Sequence, residues 1–486
     1  MIGPVLLIAL PFLGAFLLPL VYQHYLRAAY WAAPMVVITN LIIALALWFG
    51  VSMVGPQSLL MGGFAAPLGI TYYIDHLALL FIILLLAGSL SLWLGAWHRR
   101  LQEEMLTLLL IGSGTGMALS GDLFNIYVFF EIMAVASYGL TASRRHCGQS
   151  FAASLRFLIV GALGSSMLLL GIALIYALTG TLNLSHLAVL APELLHGTTG
   201  LAAFTFMLIG LGVKAELFAV NTWVPEVYAH APIRVIALLG GFVSKLAMLI
   251  IVRLLLLLYA GSDAYLILLV FGALGLLTAE FAALHATDLR RILAYSSMGQ
   301  LGLIAIAFSI PGEAGLIAGV ALAAHHAVAK PALFLLIENW GGHWQKLSGA
   351  VKVAPLASII FVIMTLSLIG VPPLPGFWAK LLLFQAGLTA GGIFNWAIVL
   401  IVLTTLIETA YWLRINRQLF QSENNQPPVN IPPDRELWPA ALLLVLLLLI
   451  SLNIGTISDE LTQMAYHAND TETYIKHTLP MWQTGE

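Results

Sequence analysis

The sequence predicts an all-α integral membrane protein of about fourteen transmembrane helices, arranged as two inverted five-helix repeats with one broken helix in each. Three observations predict it. Of 486 residues, 61% are hydrophobic and only 9% charged, against roughly 45–50% and about 25% in soluble domains. Apolar runs of about 17–25 residues, long enough to cross a bilayer, recur along the whole chain. Five of these runs each hold a lone carboxylate or lysine away from their ends, and two of the five are interrupted by proline.

The runs lie near 2–20, 32–54, 71–97, 104–120, 122–142, 151–179, 198–221, 232–258, 263–284, 292–310, 314–338, 354–388 (interrupted), 393–413 and 437–455. The opening MIGPVLLIAL has no basic stretch and leads straight into an apolar segment. It reads as a first transmembrane helix, not a cleaved signal. Residues 181–196 are too short to span and are expected in the interface. The longest polar segments are 414–436, with its proline pairs, and the tail 457–486. The expected units are three N-terminal helices (1–103), a first repeat (104–258), a second repeat (263–420), and a last helix with its tail (421–486).

Charge orients the chain. Alternate loops, counted from the one after span 1, carry Arg27; Arg99 and Arg100; Arg144 and Arg145; Arg234; Arg290 and Arg291; Lys346 and Lys352; Arg414, Arg417 and Arg435. The opposite loops and both termini hold only Lys476. The cation-rich side is expected in the cytoplasm, with both termini outside. An odd number of spans would scramble this alternation. A multi-pass protein of a bacterial inner membrane is expected.

The interrupted runs are GLGVKAELFAVNTWVPEVYAHAP, with Pro225 after Lys214, and LIGVPPLPGFWAK, with Pro372, Pro373 and Pro375 before Lys380. Proline removes a helix hydrogen bond. In hydrocarbon the freed groups must be met by protein or water, so broken helices mark cavities. A lysine beside a break, in spans five apart, fits an inverted repeat of spans 4–8 and 9–13. Paired interrupted segments point to a transport site.

The lone charges are Glu131, near the centre of DLFNIYVFFEIMAVASYGLTA, and Lys214, Lys245, Lys330 and Lys380. A charge at the bilayer centre costs at least about 2.5 kcal/mol. Burial favours the neutral form of such groups and pairing favours the charged form. A lysine that alternates between a carboxylate partner and isolation therefore alternates between holding and releasing a proton. Glu131 and Lys214 are the candidate pair. Lys245, His326, Lys330 and Lys380 would continue the line through water, with His326 suited to a relay by its titration near neutrality. His326 and Lys330 are spaced i, i+4 and share a helix face. Lys214 and Glu216 are two apart and point away from each other.

Plainer readings stand beside these. Lys380 lies near a helix end and can snorkel to the interface. Glu131 can sit in a structural ion pair. His325 reads as a packing or hydrogen-bonded residue. Glu408 fits the line or a structural role equally. Glu280, His285 and Asp288 read as interfacial, as do most tryptophans. The glycines of SGTG and GALGSS read as helix-packing positions, since no strand precedes them. One cysteine, Cys147, excludes a cysteine-ligated iron–sulfur cluster and an intrachain disulfide. No cofactor, metal site or nucleic-acid partner is expected.

DLFNIYVFFEIMAVASYGL resembles the fifth-helix signature of the antiporter-like subunits shared by respiratory complex I, membrane-bound hydrogenases and Mrp-type multisubunit cation/proton antiporters. The resemblance continues through VKAELFAVNTWVPEVYAHAP, TDLRRILAYSSMGQLG, HAVAKPALFLL and GVPPLPGFWAKLLLF, in that order. It implies that Glu131 and Lys214 form a coupling pair, that Lys245 is the central relay, that His326 and Lys330 continue it, and that Lys380 leads towards the exit. FFEIMAVASYGL, the lysine at 380 and the short tail look most like the D-type member of the Mrp antiporters. The chain departs from the family pattern at Glu216 (frequently small), Ala219 (proline), Asn221 (histidine) and Arg234 (small and polar).

The expected function is proton translocation within a multisubunit Na+/H+ antiporter, with other membrane subunits as partners. The runner-up is the proton-pumping subunit of a redox complex, either the quinone-reducing NADH dehydrogenase (complex I) or a hydrogenase. A non-conducting structural subunit is the third reading. Retention of a full set of costly buried charges speaks against it.

Overall fold

The computed structural model describes residues 3–64, 66–94, 100–144, 147–338, 340, 342–421 and 434–479. The orienting residues Arg99 and Arg145, the side chains of Arg27 and Arg435, and the proline pairs of 422–433 lie outside what it describes.

The chain is predominantly helical. It opens with α1 (Gly3–His24) and α2 (Leu26–Val54), followed by strands β1 (Gln57–Leu60) and β2 (Thr71–Ile74). Then come α3 (His76–Leu94), α4 (Leu101–Leu119), α5 (Leu123–Thr141), α6 (Gly148–Thr179) and the short α7 (Leu184–Leu194). The middle holds α8 (Thr198–Lys214), α9 (Val224–His230), α10 (Ile233–Leu238), a π turn at Leu239–Val243 and α11 (Ser244–Leu258). The second half holds α12 (Ala264–His285), α13 (Leu289–Phe308), α14 (Glu313–Ile337) and α15 (Ala350–Val353). It continues with α16 (Pro355–Ile369), α17 (Pro375–Ala390), α18 (Ile393–Phe420), α19 (Asp434–Leu452), α20 (Ile454–Asn469) and α21 (Thr471–Thr478).

Among the described residues, ten helices are long and apolar enough to span a membrane, counting α10, the π turn and α11 as one. The expected fourteen is reached only when α4, the two broken spans α8/α9 and α16/α17, and α19 are also taken as crossings. The expectation of a purely helical chain needs correction at one place. β1 and β2 form an antiparallel hairpin, with Gln57 opposite Ile74 and Leu60 opposite Thr71. The β-branched and aromatic TYYI stands at the head of an apolar run, where the sequence reading begins a helix. Its composition favours a pleated strand.

The connections gather on two sides. On one, Arg100 Nη1 donates to Ser143 O at 2.6 Å, and Arg290 Nη1 to Ala229 O at 3.2 Å. On that side Glu226 also pairs with Arg156 and Arg291, each at 3.2 Å. On the other, Gly121 N donates to Thr71 O at 2.8 Å and Leu123 N to Leu182 O at 2.9 Å. Thr471 Oγ1 ties the tail there to Leu256 O at 3.3 Å. The tail bends by 83° between α19 and α20. Asp122, Asn183, Asp288 and Asp470 cap the first turns of α5, α7, α13 and α21 with side-chain oxygens. This satisfies backbone donors that would otherwise go unpaired.

The central layer holds Lys245, His326 and Lys330. Every residue of α11 is buried, as is nearly all of α13 and α14, whereas α1, α2 and α18 form the periphery. Close helix approach needs small residues. A Cβ at Gly210 of α8 would stand 2.5 Å from Gly164 O of α6, so GALGSS is a packing motif, as its composition implied.

One buried ion pair joins the far end of α11 to the residue before α3. Arg253 of α11 grips Asp75 in two bonds, of 2.7 and 2.8 Å, while Asp75 Oδ1 also accepts from Ala78 N at 2.9 Å. Asp75→Asn leaves a buried guanidinium without its anion, which costs about 3–5 kcal/mol. A lowered thermal midpoint of the detergent-purified protein is expected, largely recovered in Asp75→Leu/Arg253→Leu.

Candidate functional site

Six predicted site residues line the centre, and each is placed by a particular local feature. Glu131 sits mid-α5, where Ser165 of α6 donates to its Oε1. It is half-buried, and its neighbours on the same helix face, Val128 and Val135, are 38% and 64% exposed.

Lys214 is the last residue of α8 and is buried. Its Nζ lies 4.6 Å from the centre of the Tyr138 ring and 4.1 Å from that of Phe157. It has no hydrogen-bond partner among the described residues, and it makes no ion pair with Glu131. The expected pair is therefore held apart: Ser165 occupies the carboxylate and two aromatic faces hold the ammonium. A cation suits the negative end of a helix and the face of an aromatic ring.

The break after Lys214 runs over 215–223, as Pro225 implied. Proline occupies the first turn of α9, where its missing N–H is no loss. Trp223 stacks on Phe157 at 3.8 Å and donates its indole N–H to the freed Val213 carbonyl at 3.1 Å. Glu216 stands inside the break with φ +56°, the only left-handed non-glycine residue among those described. That conformation costs about 1–3 kcal/mol. It turns the side chain inward, where Glu216 is buried and Tyr228 donates to its Oε1.

Lys245 opens the last stretch of the fully buried span. The π turn before it brings the Gly240 carbonyl within reach, and Nζ donates to that oxygen and to Ser244 Oγ at 3.1 Å. Single π turns inside helices recur at functional sites. On α14, His326 is fully buried with both ring nitrogens unpartnered among the described residues. Lys330 donates to Leu293 O at 3.3 Å. His325 shares a 2.9 Å hydrogen bond with Ser367, a structural role in keeping with its expected one.

The far end removes one alternative and corrects one expectation. Lys380 does not snorkel: it is buried and pairs with Glu408 Oε2 at 2.9 Å. It also donates at 3.0 Å to Ile369 O, at the end of α16, which the second break frees. Gln300 holds the other oxygen of Glu408 at 2.8 Å. Glu280 is not interfacial but buried, fitted so closely against α13 that a Cβ on Gly299 would lie 2.3 Å from its Oε1. His285 is exposed and Asp288 caps α13, so both stay at the margin.

The interior thus holds acids as well as bases: Glu216, Glu280 and Glu408 are buried with Lys214, Lys245, Lys330 and Lys380, and Glu131 is half-buried. Glu280 is the residue that sequence reasoning placed wrongly, and Glu216 is one that it left out of the line. The signal for Glu216 was present: a carboxylate two residues from an intramembrane lysine, beside a break.

Residues 120–407 match the family described as NADH:quinone oxidoreductase/Mrp antiporter, TM. The chain belongs to that family. Within it, the chain is 32% identical to NADH-quinone oxidoreductase subunit N of Desulforudis audaxviator, over 81% of this chain and 83% of that one. It is 30% identical to the D-type Na(+)/H(+) antiporter protein of Bacillus subtilis, over 87% and 89%. Its fold superposes with a TM-score of 0.90 on a chain of the Mrp complex from Dietzia sp. DQ12-45-1b, at 27% identity and covering 99% and 100%.

Proposed function

We propose that this chain is a proton-translocating membrane subunit of a multisubunit Na+/H+ antiporter of Mrp type. Protons move along Glu131, Lys214, Lys245, His326, Lys330 and Lys380. The observation that carries the reading is the alternation of buried acid and base across the central layer. Glu131 and Lys214 stand unpaired at one end, and Lys380 is paired with Glu408 at the other. Buried ionisable groups in a membrane are retained for ion pathways. In this reading α4–α11 and α12–α18 are inverted copies, which the lysine at the interruption of each half supports. The cation-rich side faces the cytoplasm of a bacterial cell, both termini face outward, and the chain crosses the membrane fourteen times. Glu131 opens on an apolar helix face, and a carboxylate on lipid is costly, so a neighbouring subunit covers it.

The identity to an NADH-quinone oxidoreductase subunit favours one second reading, a redox-driven proton pump of the same mechanism. Vesicles carrying the intact complex separate the two. Collapse of an imposed pH gradient on adding Na+, followed with a ΔpH-sensitive dye, is expected. Proton movement that ignores Na+ and follows oxidation of a reductant would replace the antiporter with the pump.

A further inference from the structure

We propose that Glu216 carries the proton between Lys214 and Lys245. This deepens the relay reading and rests on it. The residue lies in the break that separates the two lysines along the chain, and its φ of +56° directs the side chain into the protein. Oε1 is held by Tyr228, whereas Oε2 has no hydrogen-bond partner among the described residues although the residue is 1% exposed. Tyr228 links it onward. The phenol oxygen lies so close over Gly240 that a Cβ there would stand 2.5 Å away, and the Gly240 carbonyl is the one that holds Lys245 Nζ. Anchored acid, tyrosine, glycine and lysine therefore follow one another in contact. The groups around Glu216 are Tyr228 on α9, which donates to it, the lysines Lys245 on α11 and Lys330 on α14, and the Ser297 hydroxyl on α13, which makes no hydrogen bond among the described residues.

The step balances without a co-reactant. An N–H bond of the Lys214 ammonium breaks and an O–H bond forms at Oε2, through intervening water. This leaves a neutral amine and a neutral carboxylic acid, so charge is annihilated where it is costly to bury. The O–H bond then breaks as the neutral Lys245 amine takes the proton, and the carboxylate is restored. A direct hop between two lysines would have no anion to offset the moving charge.

Glu216→Gln tests it in everted vesicles holding the assembled complex, with Lys214→Met beside it. Glutamine keeps the volume and the acceptor for Tyr228 and cannot cycle a proton. A fall in proton transport of about 10²-fold is expected, with the chain present at its normal level. Infrared difference spectra of the working complex should show a carboxyl C=O band that is missing in Glu216→Gln. A merely structural Glu216 gives no such band. Wild-type transport in Glu216→Gln with Lys214→Met inactive overturns the proposal and leaves the relay standing. Wild-type transport in Lys214→Met removes the relay and this proposal together. If Glu216→Gln fails to assemble, Tyr228→Phe decides: it strips the donor from the carboxylate and should displace the pH profile of transport. An unmoved profile overturns the proposal.

Discussion

Lys214→Met is expected to abolish proton movement, by about 10²-fold or more, while the chain still inserts, assembles and melts no earlier than wild type. The two halves of that expectation have separate causes. Transport fails because a thioether cannot take up or release a proton at the break. Stability holds because the ammonium contributes little to the fold. It is buried, lacks a hydrogen-bond partner among the described residues, and keeps only the faces of Tyr138 and Phe157. A ring face returns about 0.5–2 kcal/mol, less than the several kcal/mol that a buried ion loses on leaving water. Methionine has similar volume and favourable sulfur–ring contacts. Proton flux by a ΔpH-sensitive dye and a thermal scan of the purified complex check both parts. Unimpaired flux would reject the coupling role, and a collapsed melting point would make Lys214 a structural residue.

Much of this site is legible in the sequence, because hydrocarbon makes every charge conspicuous. Glu131, Lys214, Lys245, Lys330 and Lys380 announce themselves as lone ionisable groups in apolar runs, and the prolines announce both breaks. What composition hides is where a break points its residues. Glu216 and Lys214 diverge on an ideal helix, but the helix ends at Lys214, and the left-handed turn at Glu216 sends the carboxylate towards Tyr228. Span boundaries hide depth in the same way. Glu280 reads as interfacial because its apolar run ends nearby. In the fold Gly299 of α13 opens the space that the Glu280 carboxylate fills. Lys380 looks free to snorkel because its partner, Glu408, is on another helix 28 residues away. The Asp75–Arg253 pair, 178 residues apart in sequence, is illegible for the same reason. Local pattern finds the charges, and tertiary packing decides which meet.

The Lys380–Glu408 pair should respond in the opposite way to Lys214. It is buried and doubly supported, by Gln300 on the acid and Ile369 O on the base. Removing one partner strands the other in the interior, which costs about 3–5 kcal/mol. Glu408→Leu is therefore expected to lower both the amount of assembled chain and its melting point, and to stop transport. Lys380→Met/Glu408→Leu should recover most of the lost stability, since a well-packed apolar pair replaces a buried ion pair at little cost. Transport should stay lost, because the exit end then has no group to receive the proton. The double variant separates a relay from a brace: if the bond only holds α17 to α18, restoring stability restores transport. Set against Lys214→Met, the cycle also tests where the resting molecule keeps its charges apart. The first half holds its acid and base separately, as at Glu131 and Lys214, whereas the second holds them joined. A proton arriving from the first half must open the second pair to pass, so the strength of the Lys380–Glu408 bond sets a barrier on transport as well as on unfolding. Glu408→Asp, which keeps the charge but shortens the reach across the 2.9 Å contact, should slow transport without abolishing it.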